Sequence, residues 1–84
     1  MKNVTVKYCQ PCGFMPRALD LSREILQAFG MAYNKKFSLN LQPGDKGIFE
    51  VLVGDHVIFS KEKAGRYPEP AEIIESIRKE IDRA

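Results

Sequence analysis

Four stretches of the chain carry the hydrophobic and polar patterns of β-strands. Residues 4–8 and 37–42 alternate hydrophobic with polar positions, which predicts strands with one buried face. Residues 48–53 form a nearly continuous hydrophobic run, which favours a more central place in a sheet. Residues 56–60 follow at once after Gly54-Asp55, a dipeptide typical of a tight hairpin turn. The pattern therefore predicts four strands, the last two joined as an antiparallel hairpin.

Two further stretches have helical periodicity. Residues 17–29 place hydrophobic side chains on one face, and Pro16 before them suits a first helical turn. That face consists of Ala18, Leu21, Ile25, Ala28 and Phe29, and is widened by Leu19 and Leu26. A last helix opens at Pro70 or Ala71 and carries an isoleucine stripe: Ile73, Ile74, Ile77 and Ile81. Residues 43–47 and 61–70 are rich in polar residues, glycine and proline, and are predicted to be loops.

The element order is therefore β-α-β-β-β-α, and it defines the fold class. The first two strands flank a crossover helix and should be parallel, whereas the last two should be antiparallel. We predict an α/β, thioredoxin-like two-layer sandwich with a mixed four-stranded sheet. Residues 1–84 are long enough for one domain and too short for two.

Composition excludes several classes of function. The net charge of +2 and pI of about 8.6 are too weakly basic to indicate nucleic-acid binding. No stretch approaches the roughly 18 hydrophobic residues of a membrane span, and the N-terminus lacks the hydrophobic region of a signal peptide. A cytoplasmic location without membrane association is therefore expected.

The two cysteines, Cys9 and Cys12, are the strongest chemical signal. They form a C-x-x-C motif between the first strand and the first helix, which is typical of a thiol–disulfide site. A structural disulfide is disfavoured, because cytosolic thiols are kept reduced and so short a loop restricts the unfolded chain little. A zinc site is also disfavoured, because zinc usually has four ligands and His56 is the single histidine. We expect neither a metal nor a bound cofactor.

Three segments spread over the chain point to a family. They are Tyr8-Cys9-x-x-Cys12-Gly13-Phe14-x-Pro16, Gly47-Ile48-Phe49-Glu50-Val51 and residues 61–68, which end in Gly65-Arg66-Tyr67-Pro68. Together they resemble the selenoprotein W-related (Rdx) family of thioredoxin-like proteins, in its prokaryotic cysteine-containing form. The resemblance implies thiol-based redox chemistry, with glutathione or thiol-containing proteins as partners.

The resemblance also bears on which cysteine attacks. Selenium-containing members carry selenocysteine at the position matching Cys12, which implies that Cys12 attacks and Cys9 resolves. Thioredoxin logic assigns the attack to Cys9 instead, and both alternatives stay open at this point. An attacking thiol would need its pKa lowered from about 8.5 towards neutrality.

Three residues are candidates for partner docking. Phe14 and Met15, beside the motif, could form a hydrophobic rim or could equally pack on the core. Tyr67 could lie on a protein-binding face or pack within its loop. Five basic residues could attract the carboxylates of glutathione, or could be solvated surface: Lys35, Lys36, Lys61, Lys63 and Arg66. The sequence therefore leaves two functions: a thiol–disulfide oxidoreductase, or a protein-binding adaptor that senses redox state without turnover.

Overall fold

The computed structural model describes residues 2–31, 33 and 35–82. Within them the chain forms β1 (Lys2–Cys9), α1 (Met15–Phe29), β2 (Phe37–Gly44), β3 (Phe49–Val53) and β4 (His56–Ser60). The short helix α2 (Lys61–Ala64) and the last helix α3 (Pro70–Asp82) complete it. Apart from α2, this is the predicted β-α-β-β-β-α order. None of the described helices has the length and hydrophobicity required to cross a membrane.

The four strands form one mixed sheet in the order β2-β1-β3-β4. β1 pairs with β2 in parallel and with β3 in antiparallel fashion, and β3 and β4 are antiparallel. The predicted directions and the interior place of β3 are therefore confirmed. Cys9, the last residue of β1, lies opposite Gly44, the last residue of β2, so the C-terminal ends of both strands lie side by side.

The helices α1 and α3 pack against each other and against the sheet. The alternation in β1 and β3 turns every second side chain towards them, and burying these side chains is the main stabilising contribution. The buried core consists of Val4, Val6, Tyr8, Ala18, Leu21, Ile25, Phe29, Phe49, Val51, Val53, Phe59, Ile73 and Ile77. The buried face of α1 is narrower than the predicted one, because Ala28 is exposed and Leu19 and Leu26 are half exposed.

Several element boundaries differ from the prediction, and one short helix was not predicted. Helix α1 begins at Met15, two residues early, because the Ala18 N–H already bonds to the Phe14 carbonyl at 3.0 Å. Strand β2 runs on through Pro43, which the sequence placed in a loop, because edge strands tolerate a residue without an N–H. Helix α2 lies within the predicted loop 61–70, and its four residues, three of them charged and none buried, give it no hydrophobic periodicity to detect. Its ends are nevertheless well formed, since Ser60 caps the start and left-handed Gly65 the end.

Candidate redox site

The two cysteines form a disulfide at the end of β1, with their Cα atoms 5.3 Å apart. Cys9 is held from both sides, because its N–H bonds to the Ile48 carbonyl at 2.8 Å and the next N–H, of Gln10, bonds to the Gly44 carbonyl at 3.0 Å. Cys9 is fully buried, whereas Cys12 is exposed. The motif thus places one cysteine at the surface and anchors the other in the sheet.

A tight turn brings Cys12 back towards the end of β1. The Gly13 N–H bonds to the Gln10 carbonyl at 3.1 Å, and the Phe14 N–H bonds to the Cys9 carbonyl at 3.3 Å. Gly13 has φ of 78°, a left-handed conformation that glycine adopts without strain. Helix α1 therefore begins at Met15, only three residues after Cys12.

Three aromatic side chains, Phe14, Phe49 and Tyr67, form a cluster beside this turn. Between ring centres, Phe14 lies 5.5 Å from Tyr67 and 6.3 Å from Phe49, and Phe49 lies 5.8 Å from Tyr67. Both Phe14 and Tyr67 pack against the core while remaining partly exposed. Two of the three predicted docking residues therefore also have a packing role. Met15, the third, is 42% exposed.

Two cations flank the aromatic cluster. The Arg17 guanidinium carbon lies 3.7 Å from the centre of the Tyr67 ring, close enough for a cation–π interaction. The Lys61 ammonium nitrogen lies 5.2 Å from the centre of the Tyr67 ring and 5.8 Å from that of Phe14. Neither cation forms an ion pair with a carboxylate in the described part of the chain. Sequence reasoning missed Arg17, although its place in the first turn after the motif was a usable signal.

An ion pair fastens the segment that carries Tyr67 to the start of α3. Arg66 donates through Nη1 and Nη2 to the two carboxylate oxygens of Glu72, at 2.6 and 3.0 Å, and the Glu69 N–H donates to Glu72 at 2.9 Å. The hydrogen bond from Arg66, followed by that from Glu69, lowers the pKa of Glu72 from 4.5 to about 2. The same bond to Glu72 raises the pKa of Arg66. The ring of Tyr67 is thus in contact with two cations, and its carbonyl accepts a hydrogen bond from Arg66 at 3.1 Å.

The structure does not gather the five predicted basic residues into one cluster. Lys35 and Lys36 precede β2 and lie at the N-terminal ends of β1 and β2, whereas Cys9 lies at their C-terminal ends. The Lys36 carbonyl accepts a hydrogen bond from the Lys2 N–H. Arg66 is paired with Glu72, and Lys61 lies beside the aromatic cluster. Lys35 and Lys36 are apart from Lys61 and Arg66, because the first pair precedes β2 and the second pair follows β4.

His56 also lies away from the cysteines. It opens β4 opposite Val53, which in turn pairs with Val4 near the start of β1, and its Nδ1 lies 3.2 Å from Glu80. Among the described residues, no group of three or more histidine, cysteine, aspartate or glutamate side chains is arranged to hold a metal ion. The site that the fold assembles is therefore one of sulfur, aromatic rings and cations.

Comparison with known proteins gives a consistent picture. The model of the Rdx family matches residues 3–79. Among curated proteins, migration and invasion enhancer 1 is similar: the Bos taurus protein is 29% identical over 76 residues and the Mus musculus protein 27% over 77. These alignments include 90% and 92% of this chain but only 62% and 63% of the relatives, so the chain spans about three fifths of their length.

Two solved structures have a similar fold. A selenoprotein W-related protein from Vibrio cholerae superposes with a TM-score of 0.86 at 27% identity, covering 96% of this chain and 98% of the other. A protein from Bordetella parapertussis gives a TM-score of 0.84 at 24% identity, covering 94% and 96% of the two chains, and this likeness concerns the fold alone.

Proposed function

The chain belongs to the Rdx family, and on this premise we propose that it is a thiol–disulfide oxidoreductase that cycles between a Cys9–Cys12 disulfide and a dithiol. The proposal rests on one observation above all. A buried Cys9 and an exposed Cys12 lie within bonding distance at the end of β1. A sulfur that must meet a substrate has to be accessible, while the sulfur that closes the internal disulfide does not.

The cycle assigns a role to each sulfur. The Cys12 thiolate attacks a substrate disulfide, forms a mixed disulfide and releases one substrate thiolate. The Cys9 thiolate then attacks the Cys12 sulfur, which forms the internal disulfide and releases the second substrate thiolate. Two electrons pass from protein to substrate, and the two protein thiol protons end on the substrate thiols. A reducing thiol such as glutathione restores the dithiol by the reverse steps.

The surroundings of Cys12 support this role. The first turn of α1 contains no acidic residue, so its positive end is not neutralised there. Arg17 and Lys61 add positive charge around Phe14 and Tyr67, next to the turn. Positive potential favours a thiolate over a thiol, and the thiolate is the attacking species. In this arrangement Cys12 attacks and Cys9 resolves, the opposite of the usual thioredoxin assignment.

Single-cysteine variants test the proposal. Cys9→Ser, which retains exposed Cys12, should form a stable mixed disulfide with oxidised glutathione. Cys12→Ser, which retains buried Cys9, should react at least about 10-fold more slowly, since a buried thiol is poorly accessible. Mass spectrometry of quenched samples measures both rates, and circular dichroism checks that both variants fold.

The outcomes separate the alternatives. Equal rates for the two variants, or a higher thiol pKa in the variant that retains Cys12, would contradict the assignment of roles. A wild-type protein that does not exchange with glutathione or with any protein disulfide, yet binds a partner in only one redox state, would favour the adaptor instead. Trapped mixed disulfides in cells would identify the physiological partners.

The same proposal places the protein in the cytoplasm, where thiol pools regenerate dithiols.

A further inference from the structure

One flank of α1 exposes a hydrophobic stripe that begins beside the redox turn. Met15, Leu19 and Leu26 are 42%, 47% and 49% exposed. Their spacings of four and seven residues place them on one side of the helix, since an α-helix has about 3.6 residues per turn. Ser22, which lies between them on the same side, is buried, and the exposed Arg23 that borders the stripe is paired with Asp20 at 3.1 Å. Exposed leucines are unremarkable singly, but a row of them marks a binding surface.

The stripe faces the β2 edge of the sheet. The opposite flank of α1 lines a cavity with the segment before α3, through Arg17, Asp20, Leu21 and Glu24. The remaining flank therefore points towards β2, the strand that α1 also contacts. There Leu41, 40% exposed, pairs with buried Val6 and so lies on the helix side of the sheet. We call Met15, Leu19, Leu26 and Leu41 the α1–β2 patch.

The strand next to this patch has an unpaired edge. β2 is the outermost strand of the sheet, and among the described residues it pairs with β1 alone. Its outer N–H and C=O groups can therefore accept an additional extended segment. β2 ends opposite Cys9, so a segment lying along it would extend towards the redox turn. Hydrophobic side chains and free backbone groups thus occur together, within reach of the reactive sulfur.

We propose that the α1–β2 patch docks an extended segment of a protein substrate that carries hydrophobic side chains beside its reactive cysteine. The inference rests on the proposed oxidoreductase function and specifies its substrate class. Hydrophobic residues flanking the cysteine would cover Leu19 and Leu41, and the cysteine would then lie over Cys12. In the reaction, the protein dithiol becomes the Cys9–Cys12 disulfide and the partner disulfide becomes two thiols.

The size of the patch argues for such a transient partner rather than for a second copy of the chain. Four half-exposed side chains present on the order of 300 Å² of hydrophobic surface, well below the roughly 800 Å² per partner of a stable interface. Small interfaces are typical of redox encounters. A second copy seated here would also cover Met15, three residues after Cys12, and would obstruct the sulfur.

Matched peptide disulfides provide the test. Two symmetric disulfide-linked peptides differ only in leucine or serine on each side of the cysteine, and each is mixed with the reduced protein. The wild type should react about 5- to 10-fold faster with the leucine peptide. Leu19→Asn and Leu41→Asn should each reduce this preference to about 2-fold or less. Val57→Asn is the matched control, because Val57 is 41% exposed but lies on the opposite edge strand, β4, and it should leave the preference unchanged.

Hydroxyethyl disulfide, a small uncharged substrate, separates the two proposals. Reaction with it at similar rates in all four proteins, together with the expected peptide preferences, supports the docking patch. Reaction with it but no leucine preference in the wild type overturns the patch and leaves the oxidoreductase function standing. A leucine preference that survives in both leucine variants also overturns the docking patch. A wild-type dimer that Leu19→Asn dissociates overturns it too, because the patch would then be occupied by a second copy of the chain. Failure to react with any disulfide removes the common basis of both proposals.

Discussion

The Arg66–Glu72 ion pair predicts that Glu72 stays ionised at a pH where an ordinary glutamate is protonated. Its carboxylate accepts two hydrogen bonds from Arg66 and one from the Glu69 N–H, which lower its pKa from 4.5 to about 2. A carboxyl whose pKa is depressed in the folded state stabilises that state above its unfolded pKa. The contribution is lost as the pH falls through the folded pKa. For Glu72 the loss should therefore occur between pH 4.5 and about 2.

The size of the contribution follows from exposure. The Glu72 side chain is 37% exposed and that of Arg66 52%, so water screens much of their attraction. Exposed pairs contribute about 0.2–1 kcal/mol, and the two-pronged geometry and the third hydrogen bond place this pair at the upper end. Glu72→Gln should therefore lower the free energy of unfolding by about 1 kcal/mol at pH 7 and by almost nothing at pH 2.

Carbon NMR of the side-chain carboxyl groups, on the oxidised protein between pH 1.5 and 7, measures the pKa directly. Urea unfolding at pH 7 and pH 2 measures the stability difference. Glu75→Gln is the control, because Glu75 makes a single exposed bond to Arg78 in the same helix at 3.0 Å. It should cost less than about 0.5 kcal/mol. A Glu72 that titrates near 4.5, or equal effects of the two variants at pH 7, would refute the reasoning.

Three further predictions concern stability, each measured by urea unfolding of the oxidised protein. Ile25→Ala removes a fully buried side chain and should cost about 2–5 kcal/mol; a loss below 1 kcal/mol would contradict its place in the core. Ser22→Ala should stabilise by about 0.5–1 kcal/mol, because the buried Ser22 hydroxyl has no hydrogen-bond partner among the described residues; destabilisation would indicate that it is bonded. Gly65→Ala should cost about 1–2 kcal/mol, because φ is 73° there and a side chain is strained; an unchanged stability would argue against the left-handed cap.

Much of the fold could be read from local patterns. Alternation in residues 4–8 and 37–42 indicated strands, and the hairpin at Gly54 followed from composition and spacing. These features are encoded locally, because a strand or helix that buries one face must repeat its hydrophobic residues with its own period. Helix α2 was not predicted, because the four residues between Ser60 and Gly65 bury no face and so show no hydrophobic period. The order of strands in the sheet, in contrast, has no local signature.

The candidate site divides in the same way. The sequence by itself determined that Cys9 and Cys12 lie where the first strand gives way to the first helix and are spaced to form a disulfide, since both depend on neighbours along the chain. Only the tertiary structure decided that Cys9 is buried and Cys12 exposed, because Gly44 at the end of β2 and Ile48 just before β3 accept hydrogen bonds from Gln10 and Cys9 on the two sides of β1. It also brought Tyr67 to Phe14. Contacts between residues so distant in sequence depend on sheet order and helix placement, which the burial of the whole core selects together.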